Sequence, residues 1–199
     1  MNGRGLFICL YGPEGVGKAT QGKLLEERLK ESGRMVKRVR FPVFENLKSG
    51  AELEAILMKR TKKALPEEEM QKLFSRNREE FEPTLESWLN SGVNVVAENY
   101  KGTGIVWGVV RGIPVEKMEE INSDNIDPDI SITIDGPKRE ESIPGHPYEG
   151  SDEDEWYKVR KTYLQMADKY GWIRVGADAP ILTVANRVWA VVRPVLATR

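Results

Sequence analysis

The chain has 199 residues, a length typical of one domain, and its 30 Lys and Arg residues nearly balance its 31 Asp and Glu residues. The formal net charge of −1 excludes a protein held to nucleic acid or to an anionic membrane by bulk charge. The single cysteine, Cys9, excludes an internal disulfide framework and a cysteine-rich zinc site. The apolar run at 6–11 is too short for a membrane span or a signal sequence, so we expect a cytoplasmic protein.

Predicted strands and helices alternate along the chain. Residues 6–11 have the continuous apolar pattern of a buried parallel strand, and a glycine-rich turn and a helix over 20–31 follow. Further strands are predicted at 35–41, 93–97, 130–134 and 172–175, and further helices at 51–65, 66–90, 104–112, 152–169 and 181–192. This alternation predicts an α/β fold with helices on both faces of a five-stranded parallel sheet. We expect one domain over 1–199, with a lid segment at about 136–152, where prolines and glycines are frequent.

A phosphate-binding loop is predicted between the first strand and the first helix. Segment 12–20 fits the pattern G-x-x-x-x-G-K-[ST] except at its last position, with the residues Gly12, Pro13, Glu14, Gly15, Val16, Gly17, Lys18, Ala19 and Thr20. Its glycines let backbone N–H groups point at a polyphosphate, and Lys18 reaches the β and γ oxygens. Ala19 stands where a hydroxyl normally helps hold Mg²⁺, and Thr20 can replace that hydroxyl only through a different geometry or a water.

Together with this loop, the chain resembles the thymidylate kinase family of P-loop nucleoside monophosphate kinases over nearly its whole length. The segments that carry the resemblance are K-A-T-Q at 18–21, F-P at 41–42, L-F-S-R-N-R at 73–78, V-V-A-E-N-Y at 95–100 and P-D at 128–129. The resemblance implies a P-loop NTPase fold, a three-layer α/β/α sandwich. It also implies transfer of the γ-phosphoryl of ATP to dTMP with Mg²⁺ as cofactor, a homodimer, and no nucleic-acid polymer or membrane as partner.

The resemblance also implies where the acceptor nucleotide binds. By this resemblance, Phe74 would stack on the thymine and Arg78 would contact the nucleotide. The two residues are four apart and so share one helix face, and a guanidinium can bind a base edge or a phosphate. Phe74 has a second interpretation, as a core residue beside Leu73 and Phe81. The other residues implied to contact the substrate are Phe41, Pro42, Tyr100, Thr103, Gly104 and Tyr148. Tyr100 would pack against the sugar, and Tyr148, in the lid segment, would lie over the deoxyribose.

Glu98 is the predicted acidic residue of the catalytic set. It follows the third strand at its carboxyl end, where an open parallel sheet presents ligand-binding groups. Its carboxylate could hold water-bound Mg²⁺ or orient the attacking phosphate, and the competing interpretation is a surface charge at the end of a strand.

Two departures from the family pattern concern positive charge. Asn99 stands where the family has a phosphate-binding arginine, and segment 41–44 lacks the arginine that usually follows F-P. Phosphoryl transfer needs cations around the transferred group, so other residues must supply them. The candidates are Arg40, Arg76, Lys101, Lys138 and Arg139, of which Arg139, at the start of the lid segment, is the predicted catalytic residue.

Two alternatives to a dTMP kinase stay open at this point. One is a kinase of the same fold that acts on another deoxynucleoside monophosphate. The other is a nucleotide-binding homologue that has lost catalysis, for which Ala19 and Asn99 would be the signature.

Overall fold

The computed structural model describes residues 3–58, 61, 64–139 and 153–198. Its strands are β1 (Phe7–Tyr11), β2 (Val36–Arg40), β3 (Asn94–Glu98), β4 (Ile130–Asp135) and β5 (Ile173–Gly176). They form one sheet in the order β2-β3-β1-β4-β5, and every neighbouring pair is parallel. The five-stranded parallel sheet predicted from the sequence is confirmed.

The helices described are α1 (Lys18–Glu31), α2 (Lys48–Leu57), α3 (Glu67–Asn90), α4 (Lys101–Val110), α5 (Val115–Ile121), α6 (Glu153–Tyr170) and α7 (Ile181–Ala197). They cover both faces of the sheet, because the central strand β1 is apolar on each side. Phe7, Cys9 and Tyr11 point into a core shared with α3, α4 and α6, whereas Ile8 and Leu10 point into a core shared with α1 and α7. The three-layer α/β/α arrangement is therefore confirmed.

Helix α2 is shorter than the sequence pattern predicts, since it ends at Leu57 and not at residue 65. Leu53 and Leu57 pack against Met70 and Leu73 of α3. The prediction over 51–65 was wrong at its end, because residues 58, 61, 64 and 65, which the structure describes, are not helical.

Helix α5 is absent from the sequence prediction. It begins after Pro114, has Glu116 in its first turn, and buries Met118 against α4. A Cβ at Gly108 would lie 2.2 Å from the sulfur of Met118, so the glycine permits this close approach of the two helices. Proline followed by an acidic first turn is a helix-start signal that the prediction overlooked.

The last helix continues past its predicted end. The sequence interpretation stops it at residue 192, before Pro194, yet α7 extends through Pro194 to Ala197. Val192 and Leu196 on either side of the proline are both buried, and their burial against the sheet holds the last turn in place. None of the described helices is both long and apolar enough to cross a lipid bilayer.

Candidate functional site

The loop between β1 and α1 has the backbone of a phosphate-binding loop. Gly12 has φ of 135°, and a Cβ there would lie 2.4 Å from the carbonyl oxygen of Ile134. Gly17, with φ of 95°, is the left-handed residue that precedes the first turn of α1. Both positions need glycine for conformational reasons. The phosphate binding expected of this loop stays a prediction. Val16 is buried in the core beneath the loop, and Ala19 is exposed.

Lys18 is held by its own loop. Its ammonium is buried, donates a hydrogen bond to the carbonyl oxygen of Pro13 at 2.7 Å, and lies 3.5 Å from Oε2 of Glu14. Burial lowers the pKa of Lys18, and the nearby Glu14 carboxylate opposes that effect. Nη2 of Arg40 lies 3.4 Å from the other carboxylate oxygen, so Glu14 faces two cations. An arriving phosphate can take over either cation from this carboxylate.

Two segments outside the loop, α6 and the residues after β4, donate hydrogen bonds to its backbone. The indole N–H of Trp156, in α6, donates to the carbonyl oxygen of Glu14 at 2.8 Å. The backbone N–H of Arg139 donates to the carbonyl oxygen of Gly15, also at 2.8 Å. Trp156 is buried in the core, and its polar edge stabilises the loop.

The Arg139 side chain points away from the cavity described below. Its guanidinium donates to the carbonyl oxygens of Ala177 and Ala179, the second at 2.9 Å. Both carbonyls lie between β5 and α7. The catalytic role predicted for Arg139 stays a prediction.

A cavity of about 400 Å³ opens beside the loop, at the carboxyl ends of β1, β2 and β3. Open parallel sheets bind ligands at this edge. At what we call the donor end, the lining residues are Gly12, Glu14, Lys18 and Arg40. At what we call the base end, they are Gln71, Phe74, Arg78 and Gly104. Phe41, Pro42, Asn99, Thr103, Trp107 and Tyr163 are among the other lining residues. The cavity thus brings together six of the eight predicted substrate residues with Gly12, Glu14 and Lys18 of the predicted phosphate loop.

Arg78 is a buried cation held by neutral partners. Its side chain is 3% exposed, and it donates from Nε to Oδ1 of Asn125 at 2.9 Å and from Nη2 to Oδ1 of Asn122 at 2.6 Å. Desolvation by burial lowers the pKa of Arg78 to about 10, which leaves the guanidinium charged at neutral pH. The amide oxygens orient the guanidinium without neutralising it, so its charge remains available to a ligand.

Phe74 fits both interpretations of its sequence position. It packs against the small core between α2 and α3, and it also lines the cavity on the same face of α3 as Arg78. Its ring is only partly buried, so it can contribute to the core and still contact a flat ligand.

The segment after β2 is fixed to α3 by a buried amide. Oδ1 of Asn77 accepts from the backbone N–H of Val43 and Nδ2 donates to the carbonyl oxygen of Val43, both at 2.8 Å. The Phe41–Pro42 peptide bond just before Val43 is cis. Phe41 is buried against Phe81, with ring centroids 5.5 Å apart. Asn77 belongs to the L-F-S-R-N-R segment, and this contact gives it a structural role.

Tyr100 does not line the cavity. Its ring is fully buried between Phe7 and Phe41, and its hydroxyl donates to Oε1 of Glu82 at 2.8 Å. The sugar contact expected of Tyr100 stays a prediction, and its observed contacts are those of a core residue. Tyr148 lies outside the described residues, as do His146 and the lid segment from residue 140 onward.

Glu98 lies against α1, the helix that follows the loop, and it is not among the residues that line the cavity. Its side chain is 2% exposed, and Oε1 accepts from Nη1 of Arg38 at 3.0 Å. A Cβ at Gly22 would lie 3.2 Å from this oxygen, so the carboxylate rests against α1. The alternative that Glu98 is a surface charge at a strand end is wrong, because the carboxylate is buried.

The sequence does not predict all the polar and aromatic residues of the cavity wall, and Gln71, Trp107 and Tyr163 are examples. Gln71 is three residues before Phe74 and seven before Arg78, so helical spacing on α3 could have found it. Trp107 lies one turn after Thr103 on α4. Tyr163 is buried and donates from its hydroxyl to Oγ1 of Thr103 at 3.0 Å. No sequence spacing relates Tyr163 to Thr103.

The residues near the loop suit a Mg²⁺ ion that is held mainly by nucleotide phosphates. Among the described residues, no group of three or more His, Cys, Asp or Glu side chains could hold a metal alone. The oxygens predicted for the metal are the Thr20 hydroxyl, which is partly exposed in the first turn of α1, and the Glu98 carboxylate, which is buried, paired with Arg38 and off the cavity wall. Of the two, the Thr20 hydroxyl is the open one. Mg²⁺ commonly keeps several waters and takes one or two protein oxygens beside phosphate oxygens, which such a donor set can supply.

Comparisons with known proteins identify the family of the chain. A thymidylate kinase from Caldanaerobacter subterraneus subsp. tengcongensis is 31% identical over 176 residues, which cover 84% of each chain. One from Plasmodium falciparum is 29% identical over 197 residues, covering 93% of this chain and 88% of the relative. The solved structure of thymidylate kinase from Candida albicans has the same fold, with a TM-score of 0.75 at 20% identity, over 96% of this chain and 92% of that one. The thymidylate kinase family model matches residues 10–188, and the chain belongs to this family.

Proposed function

We propose that the protein transfers the γ-phosphoryl group of ATP to the 5′-phosphate of dTMP, giving ADP and dTDP. One observation carries this proposal: a single cavity joins the lysine of a phosphate loop to a buried arginine beside a partly exposed phenylalanine. A phosphoryl donor and a flat, polar acceptor can therefore bind side by side. The family match over residues 10–188 supports the same activity.

The donor end would bind ATP. The loop N–H groups and the start of α1 favour the β- and γ-phosphates, and Lys18 would exchange its bond to Pro13 for phosphate oxygens. The bond from the γ-phosphorus to the β–γ bridging oxygen breaks, and a bond from the γ-phosphorus to an oxygen of the dTMP phosphate forms. No protein nucleophile takes part, because the acceptor phosphate is itself the nucleophile. The protein contributes position and positive charge.

The base end would bind thymine. The Phe74 ring would stack on the base, and Arg78 would donate to its edge. The acceptor phosphate must lie near the γ-phosphate, where two like charges approach each other. Within the described part of the chain, the cationic side chains on the cavity wall are Lys18, Arg40 and Arg78. Because Lys18 serves ATP and Arg78 serves the base, we assign the acceptor phosphate to Arg40, in place of the arginine missing at Asn99.

Mg²⁺ is part of the proposal as the ion that accompanies ATP. It would be held by the phosphates, with Thr20 and Glu98 as protein oxygens that contact it directly or through water. When bound, it would neutralise charge on the phosphates during the transfer. Within the described structure, Arg38 is the residue that keeps the Glu98 carboxylate in place beside α1.

The assembly and location also belong to the proposal. The resemblance supports a homodimer that acts in the cytoplasm, as one domain over 1–199 with a lid segment at about 136–152 that covers the nucleotides. Sedimentation of the purified chain at several concentrations measures the assembly state. A mass of one chain at all of them would contradict the homodimer.

The proposed function is tested by measuring ADP and dTDP formation from Mg-ATP and dTMP. We expect turnover with the wild-type protein and a loss of roughly 10²–10³-fold in the Lys18→Ala variant, which lacks the cation at the transferred group. The assay includes dUMP, dCMP and dGMP as acceptors. Faster turnover of one of these would favour a kinase for another nucleotide. No turnover with any acceptor, while titrations show ATP and dTMP binding, would identify a nucleotide-binding homologue.

A further inference from the structure

Gln71 carries a buried hydrogen-bond acceptor that nothing satisfies in the described structure. Its side chain is 1% exposed, and its Oε1 has no hydrogen-bond partner. The residue lines the base end of the cavity. A buried acceptor without a donor costs free energy, so its retention beside a binding cavity points to a donor on the ligand.

The orientation of this amide is set by a neighbouring carboxylate. Nε2 of Gln71 donates to Oε1 of Glu67, one turn earlier on α3, at 2.7 Å. An ionised carboxylate only accepts hydrogen bonds, so the NH₂ group must face Glu67. The amide oxygen is therefore kept on the opposite side, and a flipped amide would place two acceptors against each other.

The amide oxygen lies next to the Arg78 guanidinium across a gap left by Gly104. A Cβ at Gly104 would lie 3.4 Å from Oε1 of Gln71 and 3.1 Å from Nη2 of Arg78. Arg78 carries five N–H groups, and its bonds to Asn122 and Asn125 use Nε and one N–H of Nη2. The base end thus offers an acceptor beside a donor at Gly104, a lining residue whose lack of a side chain leaves both groups uncovered.

We infer that Gln71 determines base specificity: its Oε1 accepts the N3–H of thymine while Arg78 donates to the 4-oxo oxygen. This inference rests on the proposed function and extends it to a residue outside the predicted site. Cytosine has the reverse pattern, because its N3 is an acceptor and its 4-amino group is a donor. Bound in the same way, cytosine would place acceptor against acceptor and donor against donor. The pair therefore selects 4-oxo pyrimidines and rejects 4-amino pyrimidines.

The test compares kcat/KM for dTMP, dUMP and dCMP in the wild type and in Gln71→Leu. Leucine has a similar volume and removes the acceptor, which leaves N3–H of a bound thymine unpaired. We expect kcat/KM for dTMP and dUMP to fall by about 10–100-fold. We expect kcat/KM for dCMP to stay the same or to rise by up to about threefold, because leucine removes the acceptor that faces N3 of cytosine and supplies no donor in its place. The KM for ATP, which binds at the other end of the cavity, should not change.

A second variant tests the amide orientation without altering Gln71. In Glu67→Gln the neighbouring group can donate as well as accept, so the Gln71 amide can turn its NH₂ toward the base. We expect the dTMP-to-dCMP ratio of kcat/KM to fall by about 3–10-fold, with an increase for dCMP. Glu68→Gln is the matched control. It removes the same charge from the first turn of α3, but Glu68 pairs with Lys72 on the surface, and the ratio should stay at its wild-type value.

The outcomes separate this inference from the proposed function. If the wild type phosphorylates dTMP and neither Gln71→Leu nor Glu67→Gln changes the dTMP-to-dCMP ratio by more than twofold, the assignment of Gln71 is wrong and the kinase activity stands. If the wild type shows no turnover, calorimetric titration of the same proteins with dTMP and dCMP measures the ratio as relative affinity. A Gln71→Leu protein that does not fold leaves Glu67→Gln as the deciding variant.

Discussion

The two ends of the cavity hold their cations in different ways. At the donor end, Lys18 and Arg40 face one carboxylate, that of Glu14, at 3.5 Å and 3.4 Å. At the base end, Arg78 is held by the amide oxygens of Asn122 and Asn125, at 2.6 Å and 2.9 Å. A carboxylate competes with phosphate for a cation, whereas an amide oxygen orients a guanidinium and leaves its charge in place. The donor end is therefore arranged to exchange partners when phosphates bind, and the base end to keep its geometry.

The largest effect that tests this comparison is expected from Arg78→Met. The change removes the donor to the base and leaves two buried amide oxygens without their partner, so kcat/KM for dTMP should fall by roughly 10²-fold. Initial rates against dTMP concentration measure it. An unchanged KM for ATP would show that the donor end is intact. A variant whose dTMP kinetics match the wild type would contradict the role of Arg78 as the fixed cation of the base end.

Arg40→Gln tests the exchangeable cation at the donor end. If Arg40 binds the acceptor phosphate, its loss should raise the KM for dTMP by about tenfold, the effect of one exposed charge-assisted hydrogen bond. Arg76→Gln is the matched control, because Arg76 is an exposed arginine of α3 that does not line the cavity. Equal effects of the two changes would mean that general surface charge, and not the position of Arg40, attracts the substrate.

Gly104→Ala is expected to have a smaller effect that separates binding from stability. Alanine is the better helix former by about 0.5–1 kcal/mol, and its tight contact with the fixed Arg78 guanidinium should offset part of that gain in the free energy of unfolding. Its methyl group would lie 3.1 Å from Nη2 of Arg78 and narrow the base end, so kcat/KM for dTMP should fall by about 3–10-fold. Thermal unfolding and initial rates measure the two effects. A fall in both activity and melting temperature would mean that Gly104 serves helix packing and not the ligand.

The smallest effect concerns pH at the donor end. Burial disfavours the charged form of Lys18 and lowers its pKa, so the ammonium loses its proton at a lower pH than an exposed lysine does. We expect kcat/KM for ATP to decline as pH rises through this lowered pKa. The decline should begin at a lower pH than the ordinary pKa of an exposed lysine would give. A rate that stays constant beyond the ordinary lysine pKa would show that bound phosphate keeps Lys18 protonated. The lowered pKa of Lys18 in the empty loop would then not determine the rate.

The sequence predicts those features that depend on the conformation or the polarity of single residues and their near neighbours. The glycines at 12 and 17 and the apolar run of β1 predict the loop and its strand, and the structure has both. The four-residue spacing of Phe74 and Arg78 correctly predicts that they share a cavity wall.

The sequence does not predict contacts between side chains on distant elements. The bond from Tyr163 to Thr103 and the bond from Trp156 to Glu14 join residues that are 60 and 142 positions apart. Tyr100 and Arg139 show the same limit. Their positions, after a strand and in a loop, suggest ligand contact. In the structure, however, the Tyr100 ring packs between two phenylalanines, and the Arg139 guanidinium binds two backbone carbonyls. Their orientation depends on which neighbours offer a better-fitting surface, and that is a property of the folded chain.

The hydrogen bond from Trp156 to the Glu14 carbonyl also gives the protein an intrinsic fluorescent reporter of the loop. Indole fluorescence changes with the polarity and hydrogen bonding around the ring, and this indole touches the loop that would bind ATP. Trp107 lines the cavity and is the fluorophore that dTMP would approach. Replacing each in turn with phenylalanine would assign the emission change on adding either nucleotide, so the order in which the two substrates bind could be followed by stopped-flow mixing without a label.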